Sequence, residues 1–366
     1  MTNKIKTISL VAASALLSST AFSQITFSGY NESTYFQQSR ETNVAGANFK
    51  TLAPGKQLGN ETVLTARAAS KLPNGNPVSV YANFMDTDQT TGNERGFDIG
   101  VAKGVDFVYG YDRVFGSEIA RTFTPFATNR MTDQTGHLAA SNIVDITSDQ
   151  HAIGFTATDV GIAGTTLSLA YNPNFTTGRA STTSSDTVAN AAANNNASGY
   201  SVGLTSGSIN GFRLGFGMTK IDINTLNQQD IDSKTIALQF ASAPFAIGIQ
   251  RTKTDGTIST AAGTVGNAAN TAGQNQEDIT DVISGTYAVT KELTAGLGYS
   301  TMERTRNSVA SPVDTKVMTF SLAYNLGPVV LSYDHERVQD SAIIVTGNNV
   351  AGNDSTTNKL KARVNF

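Results

Sequence analysis

The chain has 366 residues, with 26 Lys or Arg against 29 Asp or Glu, a formal net charge of −3. That mild acidity argues against nucleic acid as a partner. Cysteine is absent, which excludes a disulfide framework and leaves burial or a closed hydrogen-bond ladder as the source of stability.

Residues 1–23 combine Lys4 and Lys6, an apolar run over residues 8–17 and the small-residue pattern Ala21-Phe22-Ser23. This pattern predicts a secretory signal cleaved before Gln24, followed by a single domain over residues 24–366. The apolar run is too short to span a bilayer, and no later stretch approaches the ~20 apolar residues of a membrane helix. With 33 glycines, 8 prolines and no proline-rich or highly charged linker, the remainder suits one large all-β domain.

Short alternating segments follow, separated in turn by brief turns and by long polar stretches, which is the asymmetry of outer-membrane barrels. An opening strand near residues 25–36 leads into a polar stretch. Strands near 62–70 and 78–85 are joined by Leu72-Pro73-Asn74-Gly75, where Asn-Gly tolerates positive φ. Strands near 95–102 and 105–112 meet at Lys103-Gly104, and the alternation then breaks over residues 114–149. It resumes at 151–158 and 165–171. Residues 172–197, rich in Ser, Thr, Ala and Asn, lack the apolar content for a core and read as an external loop. Beyond them come hairpins of 199–205 with 212–220 and of 234–241 with 245–253, then a Gly- and Asn-rich loop over 254–278. Strands near 279–289, 293–302, 316–325 and 329–337 precede the closing strand. The count is about sixteen, an even number within the range of bacterial barrels.

Parity names the lipid face: Phe97, Ile99, Phe107, Tyr109, Leu167, Leu169, Tyr171, Phe212, Leu214, Phe216, Ile236, Leu238, Phe240, Met318, Phe320, Leu322 and Tyr324 share it. Their neighbours are mostly small or polar. A soluble β-sandwich would need a dry core that those inward positions are too small and too polar to supply. The chain ends Lys359-Leu360-Lys361-Ala362-Arg363-Val364-Asn365-Phe366, a closing strand with one apolar and one basic face.

In layout the chain resembles the general, trimeric porins of Gram-negative outer membranes: leader, about sixteen strands, terminal Phe366, and a long third outer loop after Phe107-Val108-Tyr109-Gly110-Tyr111-Asp112-Arg113-Val114-Phe115-Gly116. The loop lacks a Pro-Glu-Phe-Gly-Gly signature and has Thr124-Pro125-Phe126-Ala127 instead. The resemblance implies an all-β transmembrane barrel whose third loop folds into the lumen, a homotrimer, and a terminal aromatic read by the barrel-insertion machinery. It also implies an outer-membrane setting among lipid and lipopolysaccharide, and passive diffusion of ions and small hydrophilic solutes.

Such a channel needs a constriction and a transverse arrangement of charge. Inward parity selects Arg67, Arg213, Lys361 and Arg363, with Arg67 expected near the terminal basic pair because the first and last strands adjoin. Arg113 joins them only if its strand bends on entering the loop. The third loop offers Glu118, Asp133, Asp145 and Asp149, with Arg121, Arg130 and His137 mixed among them. A basic wall facing an acidic loop is the expected pore constriction. Enzymatic readings fare worse, because His137, His151 and His335 accompany no Gly-x-Ser-x-Gly elbow and no triad spacing. No cofactor is expected. Asp86-Thr87-Asp88, Asp278 and Asp281 leave calcium open without forming an EF-hand loop. A substrate-specific channel, or an adhesin using the long loops, would use the same barrel.

Overall fold

The computed structural model describes residues 24–44, 47–49, 55–87, 94–111, 113–123, 146, 151–175, 197–222, 230–257, 275–306, 313–345 and 348–366. The expected leader, Asp133 and the low-complexity stretch of residues 176–196 lie outside them. The first half of the chain holds β1 (Gln24–Val44), β2 (Ala47–Phe49), β3 (Gly55–Lys71), β4 (Pro77–Thr87), β5 (Arg95–Ala102), β6 (Val105–Tyr111), a 3₁₀ helix (Gly116–Phe123), β7 (His151–Thr158) and β8 (Thr166–Phe175). Then follow β9 (Ala197–Thr205), β10 (Phe212–Asp222), β11 (Ile231–Ser242), β12 (Phe245–Thr257), β13 (Asn275–Ala288), β14 (Leu293–Arg306), β15 (Val313–Asn325), β16 (Val329–Val345) and β17 (Asn348–Asn365).

β2 is a three-residue stub paired with the tip of β1. The other sixteen strands pair antiparallel with their sequence neighbours, and β1 meets both β3 and β17. The ring is therefore a closed sixteen-stranded antiparallel β-barrel. Closure satisfies the backbone ladder of every strand and leaves no open sheet edge. At the seam Gly29 and Phe366 exchange backbone hydrogen bonds of 2.9 and 3.0 Å. A Cβ built on Gly29 would lie 2.9 Å from the Phe366 ring, so the terminal aromatic covers a glycine that presents no side chain of its own.

The tight turns follow their residue chemistry. Gly75, at φ +85°, donates to the Leu72 carbonyl at 2.8 Å, and the Asp159 carboxylate accepts from Gly164 N–H at 2.7 Å to hold the turn between β7 and β8.

Alternation along each strand sorts the two faces. Outward, Phe97, Phe107 and Phe155 form a run with ring centroids 6.2 and 5.5 Å apart, and Phe212 meets Phe240 at 4.7 Å. Leu297 and Phe27 are each 66% exposed on this face. Inward, the positions are mostly Gly, Ser, Thr and charged residues, with a difference from the expectation of a uniformly polar wall. Val108, Ala152, Ala170 and Ile221 form a buried inner cluster with Phe115 and Ile146, two residues of the connection after β6. Val282, Met302, Val317 and Val338 form a second apolar cluster on the inner face of β13 to β16.

Candidate functional site

The connection after β6 turns inward as soon as it leaves the strand. The 3₁₀ helix that follows packs on the inner face of β8 to β11, where the wall residues are small enough to admit backbone. Ser168 Oγ accepts from Gly116 N–H at 2.7 Å, Ser201 Oγ accepts from Ser117 N–H at 3.2 Å, and the hydroxyls of Ser117 and Thr219 are 2.7 Å apart. Gly203 is required by close approach, since a Cβ there would stand 2.0 Å from the Gly116 carbonyl oxygen. The Phe123 ring lies under the Arg213 guanidinium at 5.0 Å, on β10. Glu118 belongs to this helix. Most of the long connection, Asp133 included, falls outside the described residues.

In the ring of sixteen, β10 is the eighth strand from β1 in either direction, so the helix stands diametrically across from β1. That opposite sector, β17 through β5 with Arg113 just past β6, carries two groups of basic side chains, while Arg213 stands on the helix side on β10. In the first, Glu32 on β1 receives Lys361 Nζ at 3.0 Å on one carboxylate oxygen, and Arg363 Nη2 at 2.7 Å and Nε at 2.9 Å on the other. The side chains of Glu32 and Lys361 are each 8% exposed, whereas Arg363 keeps 36%. The Arg363 guanidinium also lies 4.0 Å over the Tyr30 ring, and the Tyr30 hydroxyl donates to Glu61.

The second group runs along β3 to β5. Arg113 Nη1 is 2.5 Å from Asp98 Oδ1 and its guanidinium is 5.0 Å from the Tyr81 ring. The other Asp98 oxygen accepts from Ser79 Oγ at 3.2 Å, and Ser79 Oγ accepts from Arg67 Nη2 at 3.3 Å. Strand parity alone would have pointed Arg113 outward. β6 ends at Tyr111, and the Arg113 stem folds over Gly110, whose missing side chain leaves the space.

Arg67 is not brought beside the terminal basic pair. Its Cα partner on β1 is Thr26, six positions from Glu32, the partner of Arg363. At ~3.3 Å per residue that is about 20 Å along the strand. Adjacent strands do not imply a common level. Asp278 and Asp281, three apart on β13, project to opposite faces, and Asp281 accepts from Arg251 at 2.9 Å on the outside. They cannot share a cation. His335 faces outward beside Tyr333, both within 2.9 Å of the Asn358 side-chain oxygen.

Parity reasoning reached the cations and missed the carboxylates that hold them. Glu32 and Asp98 obey the same inward rule as Arg67, and Glu32 is the direct cross-strand neighbour of Arg363 once the first and last strands are paired, so that signal was present. Tyr30 and Tyr81 lie two residues along from Glu32 and Ser79.

No family model matches the chain, and no curated protein matches it. Solved structures do. The anion-selective porin from Comamonas acidovorans superposes with a TM-score of 0.62 at 12% identity, over 94% of this chain and 99% of that one. OmpT, an outer-membrane protein of Vibrio cholerae in its trimer form, gives 0.58 at 10% identity over 94% and 99%. A mutant of the Rh. blastica porin gives 0.55 at 13% over 94% and 100%. The fold is that of a porin-like sixteen-stranded barrel.

Proposed function

We propose that this chain is a porin of the Gram-negative outer membrane, a water-filled channel for passive diffusion of ions and small hydrophilic solutes. The observation that carries the reading is the transverse arrangement inside the barrel. Lys361, Arg363, Arg67 and Arg113 lie on the wall over β17 to β6, and across the barrel a helix whose sequence holds both Glu118 and Arg121 is bound to the inner wall. Charge divided across a narrow, low-dielectric opening orders water and sorts solutes by charge. The outer face, with large apolar side chains exposed around the ring, suits lipid, because exposed apolar area on this scale is costly in water. The names of the neighbouring folds, an anion-selective porin and an outer-membrane protein in trimer form, support a channel and a homotrimer here as well. The leader of residues 1–23, export, and recognition of Phe366 by the insertion machinery belong to the same reading, as do lipopolysaccharide around the barrel and the absence of catalysis.

The test is single-channel recording of the refolded, purified chain in a planar bilayer. Stepwise, ohmic conductance that rises with bulk salt is expected. A protein that inserts and never conducts would refute the channel and leave the loops as the functional part.

A further inference from the structure

On the inner face of β11 and β12 the wall hydroxyls pair across strands: Ser233 and Thr254 meet at 2.7 Å, Thr235 and Thr252 at 2.8 Å. Further round the ring the same residue types are held apart. Ser284 on β13 and Thr319 on β15 are both Cα partners of Gly298, and Gly296, the preceding inward residue of β14, is the Cα partner of Ser321. Gly298 leaves two strand spacings, about 10 Å, between Ser284 and Thr319, too far for one hydroxyl to reach the other. Ser300, the next inward residue of β14, has Val282 and Val317 as its Cα partners and meets no hydroxyl across either strand. The hydroxyl oxygens of Ser284, Ser300, Thr319 and Ser321 are all buried without a hydrogen-bond partner among the described residues, and none of the four residues is more than 4% exposed. Their chain neighbours Ile283, Leu297, Tyr299, Met318 and Phe320 are exposed on the outer face, which puts the four hydroxyls on the lumen side.

A buried hydroxyl without a partner is costly, and four in one patch is a concentration that folded proteins avoid. The patch itself defines what would satisfy it. Its groups both donate and accept, as the hydroxyls of a solute do. Glu336 and Asp334, the Cα partners of Thr319 and Ser321 on β16, set two acidic residues beside it, which disfavours an anion. Val282, Met302, Val317 and Val338 border it with aliphatic surface, which suits the C–H groups of a carbon frame and offers nothing to a small inorganic ion.

We propose that the inner wall of β13 to β15 is a binding site for a neutral, polyhydroxylated solute of monosaccharide size. The solute lies on the floor of Gly296 and Gly298, with its hydroxyls on Ser284, Ser300, Thr319 and Ser321 and its C–H face against Val282 and Val317. This rests on the channel reading above and names a class of solute that the channel holds in transit. A hydrogen bond that replaces one to water adds about five-fold in affinity, so four give a Kd on the order of 1 mM. Binding of that strength favours entry and still allows release, as conduction requires.

The experiment records the refolded full-length barrel in a planar bilayer with D-glucose, and with tetraethylene glycol as a solute of similar size that has only two hydroxyls. Wild-type current should fall saturably with D-glucose, half-way at about 1 mM, and with tetraethylene glycol only as bulk conductivity falls. Gly298→Val fills the floor with a side chain that strands accommodate, and it should abolish the saturable component. Ser300→Ala and Thr319→Val should each raise the half-saturating concentration about five-fold. Ser233→Ala, which removes a hydroxyl already paired on β11, should leave it unchanged. If wild type responds alike to both solutes, or saturates with inorganic phosphate in place of D-glucose, the site is overturned and the channel reading stands. A wild-type protein without conductance defeats the channel reading instead.

A second readout does not depend on current. In detergent micelles, saturation of the barrel methyl protons should transfer to the C–H protons of D-glucose in wild type and not in Gly298→Val. No transfer in wild type overturns the site whether or not the barrel conducts. If Gly298→Val does not assemble, Ser300→Ala/Thr319→Val takes its place, and wild-type transfer in that double variant overturns the site equally.

Discussion

The attachment of the 3₁₀ helix to the barrel wall can be tested at a single atom. Gly203→Ala introduces a Cβ that would stand 2.0 Å from the Gly116 carbonyl oxygen and 2.6 Å from Ile119 Cγ1, against an ordinary contact beyond 3.4 Å. The Ile119 side chain could turn aside but the Gly116 backbone cannot, so the helix must move by about 1 Å, at a cost of about 1–3 kcal/mol. Among its hydrogen bonds to the wall are those of the Gly116 and Ser117 amides nearest the clash and that of the Ser117 hydroxyl. At about 1 kcal/mol each, the two amide bonds amount to about 2 kcal/mol, enough to raise local opening about 30-fold. Hydrogen exchange over the peptide containing residues 116–120 should accelerate by that factor, while strand amides of β8 and β9 keep their protection. Gly285→Ala on β13 is the control, because its nearest neighbour is 3.3 Å away. If Gly203→Ala exchanges like wild type, the helix does not rest on β9 as described.

Three further outcomes follow from the same geometry. Deleting Phe366 removes both backbone hydrogen bonds to Gly29 and the ring that covers it, so heat-modifiable barrel should fall severalfold in outer-membrane fractions while signal cleavage proceeds; normal barrel levels would sink the idea. Leu297→Arg, at a position 66% exposed on the outer face, should destabilise the barrel in lipid vesicles by about 2–4 kcal/mol if it lies near the bilayer midplane, whereas a barrel living in water would hardly register it; urea titration in vesicles decides between them. Ser117→Ala leaves the Thr219 hydroxyl, fully buried, without its partner, a local cost of about 1–3 kcal/mol that should appear in helix exchange and not in barrel assembly.

The barrel was legible in the sequence wherever one face of a strand meets an apolar surround, because only there does alternation become a signal. Phe212, Leu214 and Phe216 announce β10, and their cross-strand partners Phe240, Leu238 and Ile236 announce β11. The far ends of the strands were not legible for the same reason. β12 continues outward through Arg251, which pairs with Asp281 on β13, and Lys253, which pairs with Glu277 on β13 and Asp255 on its own strand, so both faces are polar and the period disappears from composition. β1 likewise runs to Val44, eight residues past the end that alternation suggested.

The inner surface obeys different rules, and those explain what parity could and could not supply. Parity assigns a face, and it did so for Arg67, Arg213, Lys361 and Arg363; level and partner depend on register across the seam, which no single strand encodes. Arg113 shows the further limit, since it lies past the end of β6 and its stem takes the space over Gly110. The same surface explains why cations on a barrel wall need not act as free charges. Holding Lys361 at 8% exposure without a counter-ion would be costly, and the fold supplies Glu32 across the seam, two residues along β1 from Thr34, the Cα partner of Lys361, and directly opposite Arg363.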